Sequence, residues 1–267
     1  MYPPFASGET GMMRLPKRLQ LRQRYREWRY RRLAAGAETF LVDANSLIEQ
    51  GYASQCGQDK WLVEKMFPGM HNGVFVDIGA HDGVSFSNTL FLEQRLGWSG
   101  LVVEPMPDVF ERLTRNRNCS RVNGCVANTT GVAKFRRISG YSEMLSGLVE
   151  QYDPRHLDRI SREVTERGGT IEEISVECFR LNDLLATHGL RDVHYVNVDV
   201  EGAEYDILRG FDFAAANVWV WGIENNYRDY RLPLLMKRAG YALVATVGDE
   251  FYARKGAFGA AIGRQQS

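Results

Sequence analysis

Short apolar runs alternate with amphipathic stretches through most of the chain, and that rhythm predicts the fold. Val74–Ile78 is an apolar run closed by Gly79, followed by a helix-compatible stretch from about Ser85 to Arg95. Leu101–Val103 is a second run, closed by Glu104-Pro105, with a helix predicted over Pro107–Asn116 and a third run at Val122–Ala127. Residues 131–138 and 171–179 alternate as strands do, around a charged helical segment at Pro154–Arg167. Leu181–His188, Ala203–Phe211 and Leu232–Ala239 read as helices, Val193–Val200 and Val218–Glu224 as buried strands. Tyr241–Val247 and Glu250–Arg254 end the pattern as an antiparallel hairpin. Strands that alternate with short helices predict an α/β, doubly wound, mostly parallel sheet with helices on both faces.

Upstream, Asp43–Phe67 reads as a helix in two pieces broken near Gly51, with Leu62, Val63, Met66 and Phe67 on one apolar face and Pro68-Gly69 as its stop. From Leu15 to about Ala35 a helical extension is predicted, but Leu15, Leu19, Trp28 and Leu33 are sparse among arginines. So little apolar face suggests a solvated arm, or a contact through residues 14–32 with an anionic membrane surface or an acidic partner. The expected organisation is a basic arm over 1–40, one domain over 41–256 with 139–170 as an insertion or lid, and a flexible tail over 257–267.

Composition narrows the function classes. In 267 residues, 44% are hydrophobic and 25% charged, enough for a real core. Net charge is zero, yet the first 40 residues carry nine Lys/Arg against three Glu, a net +6 balanced by −6 in the remainder. A neutral whole argues against nucleic acid as the partner. Cys56, Cys119, Cys125 and Cys178 form no Cys-x-x-Cys pair, so reduced thiols are expected in place of a disulfide framework or a zinc site. The chain has neither an apolar run near the ~20 residues of a membrane span nor the apolar stretch of a signal peptide, and a cytoplasmic protein is expected, peripheral at a membrane if the arm engages one.

In open α/β sheets ligands bind beyond the carboxyl ends of the strands. After the first core strand stands Asp77-Ile78-Gly79-Ala80-His81-Asp82-Gly83, where Gly79 and Gly83 allow a close backbone approach. Glu104, 25 residues after Gly79, can accept two hydrogen bonds from a ribose diol. A dinucleotide fingerprint needs Gly-x-Gly-x-x-Gly, and here the spacing is Gly-x-x-x-Gly. Asp77 and Asp82 would repel a pyrophosphate and suit an ammonium and a sulfonium, which favours S-adenosylmethionine over NAD. Asp199, Glu201 and Glu204 cluster at the end of the fourth core strand, and Glu224 with Asn225 and Asn226 at the end of the fifth. Ordinary helix-start chemistry is the competing explanation for Glu201 and Glu204.

The runs VFVDIGAHDGVSFSN, LVVEPMPDVFERL and above all VNVDVEGAEYDILRGF, with SQCGQDKWL upstream, resemble the FkbM-type methyltransferases over roughly residues 52–254. The resemblance implies a Rossmann-like sheet of seven-stranded type and S-adenosylmethionine-dependent O-methylation of a hydroxyl on a sugar, a glycan or a secondary metabolite. It implies Asp77, Gly79, Ala80 and Gly83 around the methionine moiety, Glu104 on the ribose, and Asp199 and Glu201 lining the methyl-transfer cleft. It also brings Gln55, which with Asp59 is expected one turn apart on the helix before the sheet, over the cofactor. His81-Asp82 departs from the family pattern, so His81 could touch cofactor or substrate or cap the helix.

An aliphatic hydroxyl must lose its proton during or after attack, which calls for a base or a divalent cation such as magnesium. Asp199, Glu201 and Glu224 could serve either role, with Asp199 or Glu201 preferred as the base and His81 as a further candidate. His194 should face away from the cleft, and His71, His156 and His188 look like surface or loop residues. Trp219 and Trp221 read as core packing. The competing functions are an NAD-dependent oxidoreductase, separable by differential cofactor binding, and a non-catalytic module docked by its basic arm.

Overall fold

The computed structural model describes residues 17–254. Residues 1–16 of the expected arm and the expected tail at 257–267 lie outside the described residues. Helix α1 (Lys17–Leu33) leads to a two-residue strand β1 (Glu38–Thr39) and a short helix α2 (Ala44–Glu49), capped where the Asp43 carboxylate accepts the Ser46 N–H at 3.0 Å. Helix α3 (Gln58–Trp61) continues into a π-helical turn at Leu62–Met66, so the expected two-piece helix is broken over 50–57. The core then alternates as β2 (Val74–Ile78), α4 (Leu90–Leu96), β3 (Ser99–Glu104), α5 (Pro107–Asn116) and β4 (Ser120–Asn123). A second group follows: β5 (Cys125–Val126), β6 (Gly131–Ile138), β7 (Gly147–Leu148), α6 (Pro154–Arg167) and β8 (Ile171–Phe179). The chain closes with α7 (Leu181–Thr187), β9 (Asp192–Val198), α8 (Glu204–Arg209), β10 (Asn217–Ile223), α9 (Arg231–Arg238), β11 (Tyr241–Val247) and β12 (Asp249–Arg254).

The main sheet runs β1-β11-β12-β10-β9-β2-β3-β4. Among the described residues it has eight strands where a seven-stranded type is expected, the extra one being the two-residue β1 paired to β11. Strand β12 inserts between β10 and β11 and runs antiparallel to both, as the hairpin pattern predicts. The chain builds β2, β3 and β4 outward, then returns to lay β9 on the other side of β2. The switch in strand order therefore falls between β2 and β9, and the crevice of such a sheet opens at their carboxyl ends.

Side chains along each central strand divide between two cores. Val76 and Ile78 pack with Leu181, Leu185, Ile207 and Met236 on one face, while Phe75 packs with Trp61, Leu62 and Leu92 on the other. Both faces are covered by helices, which is why these strands read as continuous apolar runs.

Two predicted elements change. The helix expected from Ser85 begins at Leu90, because residues 84–88 form a loop bridged to Ser54. The run at Val122–Ala127 divides at Gly124 between two sheets, since a β-carbon there would meet the Phe179 ring at 2.6 Å and the Glu177 carbonyl at 2.9 Å. The second, four-stranded sheet (β5-β8-β6-β7) carries the expected insertion as the excursion from β6 to β8, with a small core of Ile138, Leu145 and Ile160.

The described part of the arm is seated on the body. Tyr30, 9% exposed, donates its hydroxyl to Glu250 at 2.5 Å, and Arg29 lies 4.9 Å from the Tyr230 ring centre. No helix among the described residues is long and apolar enough to cross a membrane.

Candidate active site

The turns after β2 and β9 meet at the switch point. Gly79 has φ +85°, and a β-carbon there would lie 1.8 Å from the Asp199 carbonyl oxygen, so only glycine lets the two turns approach. The Gly79 and Ala80 amides donate to the Val103 carbonyl, and the Asp199 amide to Ile78. His81 (φ +49°) and Glu201 (φ +59°) both hold left-handed backbone without being glycine, a strained arrangement that concentrates at functional sites.

Beneath these turns lies a bonded floor. Asp77, 2% exposed, accepts Thr89 Oγ1 at 2.6 Å and Asn197 Nδ2 at 2.9 Å. Arg117, 1% exposed, donates to Glu93 at 2.5 Å, Thr89 at 3.0 Å and the Gly83 carbonyl at 3.2 Å. Asp77 is thus engaged in bracing the loop that the resemblance sets around the methionine moiety. Arg117 escapes sequence reasoning because its partners come from elements far apart in the chain.

Glu104 ends β3 with one oxygen accepting the Met106 amide at 2.9 Å and the other the His81 amide at 3.1 Å. Burial pushes its pKa up to about 7 against those two bonds. The His81 Nε2 meets Glu143 at 2.8 Å, and Arg112 pairs with the same carboxylate. Burial works against the charged imidazole, yet Asp82 and Glu143 hold its pKa above the ordinary value. The bonded partners of His81 are on the Glu104 side, and Asp199, Glu201 and Glu224 are not among them.

Asp199, Glu201 and Glu224 converge, with one carboxylate oxygen from each lying within 4.8 Å of the others. Burial first, then repulsion from neighbouring carboxylates (Asp249 and Glu201 beside Asp199, Glu201 and Asp199 beside Glu224), raises the Asp199 and Glu224 pKa values well above their ordinary values. Glu201 is pushed up to about 8, by burial more than Arg159 lowers it. The helix-start role falls to Glu204, whose carboxylate accepts the Gly202 and Val200 amides at 3.0 and 3.2 Å. Glu201 Oε2 accepts no hydrogen bond among the described residues and sits 3.4 Å from His156 Nδ1.

His156 corrects the expectation of a surface residue: it is 1% exposed on α6, with Nε2 at 3.3 Å from the Leu145 carbonyl. A carbonyl accepts only, so Nε2 carries the proton and Nδ1 presents a lone pair to Glu201. Burial keeps that imidazole below its usual pKa. Only the tertiary fold of 139–170 brings it to Glu201, and no local period marks it. Gln55 is the second correction: it lies exposed on the loop ahead of α3, not a turn from Asp59 on one helix. Asp59 is buried and accepts the Ala53 and Ser54 amides. His194 accepts the Val74 amide at the amino end of the sheet, and Trp221 is fully buried, as expected.

The family model for the methyltransferase FkbM domain matches residues 77–243, which contain Asp77, Glu104, Asp199, Glu201 and Glu224. The chain belongs to the FkbM methyltransferase family. "Methyltransferase 1" of Beauveria bassiana (strain ARSEF 2860) is 28% identical over 170 residues, covering 58% of this chain and 64% of that protein. "Methyltransferase sdnD" of Sordaria araneosa is 27% identical over 161 residues, covering 53% of this chain and 61% of that protein. The match thus spans less than two thirds of either relative. The solved methyltransferase FkbM of Methylobacillus flagellatus KT aligns with a TM-score of 0.44 at 14% identity, covering 86% of this chain and 59% of that one. A methyltransferase structure from Pyrococcus furiosus aligns at 0.36 and 12% identity, covering 89% and 98%. The FkbM assignment removes the case for a dehydrogenase built on the same sheet.

Proposed function

We propose that this FkbM protein transfers a methyl group from S-adenosylmethionine to a hydroxyl of a sugar, a glycan or a secondary metabolite. The observation that carries this reading is the convergence of Asp199, Glu201 and Glu224 at strand ends beside the Gly79 turn. The residues on the cofactor side fit the group: Glu104 keeps lone pairs for a ribose diol, and the turn lacks the glycine spacing of a pyrophosphate site.

S-adenosylmethionine supplies an electrophilic methyl, leaving a neutral thioether when the S–C bond breaks and the O–C bond forms. The chain's task is to align the hydroxyl and receive its proton. Glu201 accepts that proton in this reading. Its pKa of about 8 matches a base working near neutrality, and the His156 lone pair 3.4 Å away stabilises the protonated carboxyl. Residues 139–170 act as the lid: Glu143 reaches His81, and Gln151 packs 3.0 Å from where a Gly202 β-carbon would stand.

A second reading rests on the same oxygens. Three carboxylates within 4.8 Å offer the oxygen donors that magnesium takes, and Asp199, Glu201 and Glu224 would then hold the ion and acidify the hydroxyl. Label transfer from S-adenosylmethionine to a hydroxyl panel, run with chelator and with added magnesium, tests both. Transfer that survives chelation supports Glu201 as base, strict magnesium dependence supports the cation, and no transfer to any acceptor defeats the reading.

The outer face of α1, with Tyr25 53% and Trp28 54% exposed beside Arg29 and Arg32, fits an anionic membrane surface. Co-sedimentation with anionic but not neutral vesicles is the expected result.

A further inference from the structure

Helix α1 has a second face, and it points into the site. Gln23, Arg26, Glu27, Tyr30 and Arg31 follow helical spacing and wall a cavity of about 910 Å³. Glu201, Glu204 and Glu224 line the same cavity, as do Tyr152, Tyr205 and Tyr227. The arm that composition presents as a solvated appendage is therefore one side of the space in front of the carboxylates. The Tyr30–Glu250 bond fixes that wall, and Glu250 also accepts Asn225 Nδ2 at 2.9 Å, next to Glu224.

This cavity carries exposed arginines as well as buried and half-buried carboxylates, with the exposed Glu27 also in its lining. The carboxylates of Glu201, Glu204 and Glu224 are buried or half-buried. Two arginines at the mouth are neutralised locally: Arg155 on Asp153 at 2.7 Å and Arg231 on Asp229 at 2.5 Å. Arg26, Arg31 and Arg228 are exposed and form no ion pair within 4.0 Å among the described residues, although the Arg26 charge adds to Arg155 in lowering the Asp153 pKa. Arg228 is held in left-handed backbone (φ +52°), with its guanidinium 5.9 Å from the Tyr30 ring centre. Tyr30 is one turn from Arg26 on α1, and Arg26 and Arg228, from the loop after β10, line the same cavity.

Each part implies a ligand feature. A carboxylate floor takes a hydroxyl proton, tyrosine rings suit the apolar faces of a sugar, and guanidinium forks suit the paired oxygens of a phosphate. We infer that the acceptor is a phosphorylated sugar, its hydroxyl at Glu201 and Glu224 and its phosphate on Arg26 and Arg228, with α1 as the wall that selects it. This deepens the methyltransferase reading and rests on it.

The test is calorimetric titration of the full chain, saturated with S-adenosylhomocysteine, with glucose 1-phosphate and with methyl glucoside. The sugar phosphate should bind at least about tenfold more tightly than the neutral glycoside, an increment of the size one charge-assisted pair supplies. R26A/R228A should erase that preference, and R26K/R228K should restore only part of it. R24A/R32A, which removes the same charge from α1 positions that do not line the cavity, should leave it intact. Equal affinity for the two probes, no binding of glucose 1-phosphate, or equal losses in R26A/R228A and R24A/R32A would each overturn the proposal. S-adenosylhomocysteine binding is read in the same samples. Its absence beside arginine-dependent sugar-phosphate binding would defeat the methyltransferase reading and leave the subsite standing.

Discussion

Tyr30 and Glu250, 220 positions apart, share a buried hydrogen bond of 2.5 Å that ties the first helix to strand β12. Tyr30→Phe keeps the ring and removes the bond. It should cost about 1–2 kcal/mol and expose α1 to cleavage at its arginines before the body unfolds. Urea unfolding followed by timed trypsin digestion checks both, and an unchanged digestion pattern would mean that α1 is not held by this bond.

Arg117 is buried with Glu93 and braces Gly83 and Thr89. Arg117→Ala strands a half-buried carboxylate and loosens the floor under the first turn. A loss of about 3–5 kcal/mol is expected, seen as a lower urea midpoint with little change in slope.

Gly79→Ala asks for a side chain in left-handed backbone, 1.8 Å from a carbonyl oxygen. The turns after β2 and β9 must separate, so S-adenosylhomocysteine affinity should fall together with melting temperature. Retained affinity in a destabilised variant would show that cofactor binding does not depend on this approach.

Glu201→Gln should lower turnover by about two to four orders of magnitude while S-adenosylhomocysteine affinity holds. Single-turnover label transfer measures the first and calorimetry the second. A parallel loss of binding would move Glu201 from proton acceptor to cofactor ligand.

Burial pushes the Glu104 carboxyl up to about 7 from an ordinary 4.5. The folded state therefore binds this proton more tightly than the unfolded state. Its contribution to stability is complete below about 4.5 and is lost as pH rises through about 7. A ribose diol donates to the ionised form, so S-adenosylhomocysteine binding below pH 7 should release a proton. Titrations in buffers of different ionisation enthalpy detect it, and Glu104→Gln should abolish it.

The sheet was legible because buried parallel strands leave uninterrupted apolar runs, and Gly79, Glu104, Asp199 and Glu224 were legible because each directly follows or ends such a run. His156 and Arg117 were not. Their roles depend on partners brought from other elements, Glu201 in one case and Glu93 with Thr89 in the other. The arm misled for a related reason: it docks through Tyr30 and arginine–aromatic contacts, which apolar periodicity does not record. Val122–Ala127 misled because only the nearby Phe179 forces the break at Gly124.

The most direct test of the central claim is calorimetric titration of the purified full chain with S-adenosylhomocysteine, with NAD in parallel and Glu104→Ala as the control. Micromolar-range binding of S-adenosylhomocysteine alone, lost in the variant, is the predicted result. Binding of NAD instead, or affinity unchanged without Glu104, would contradict the account.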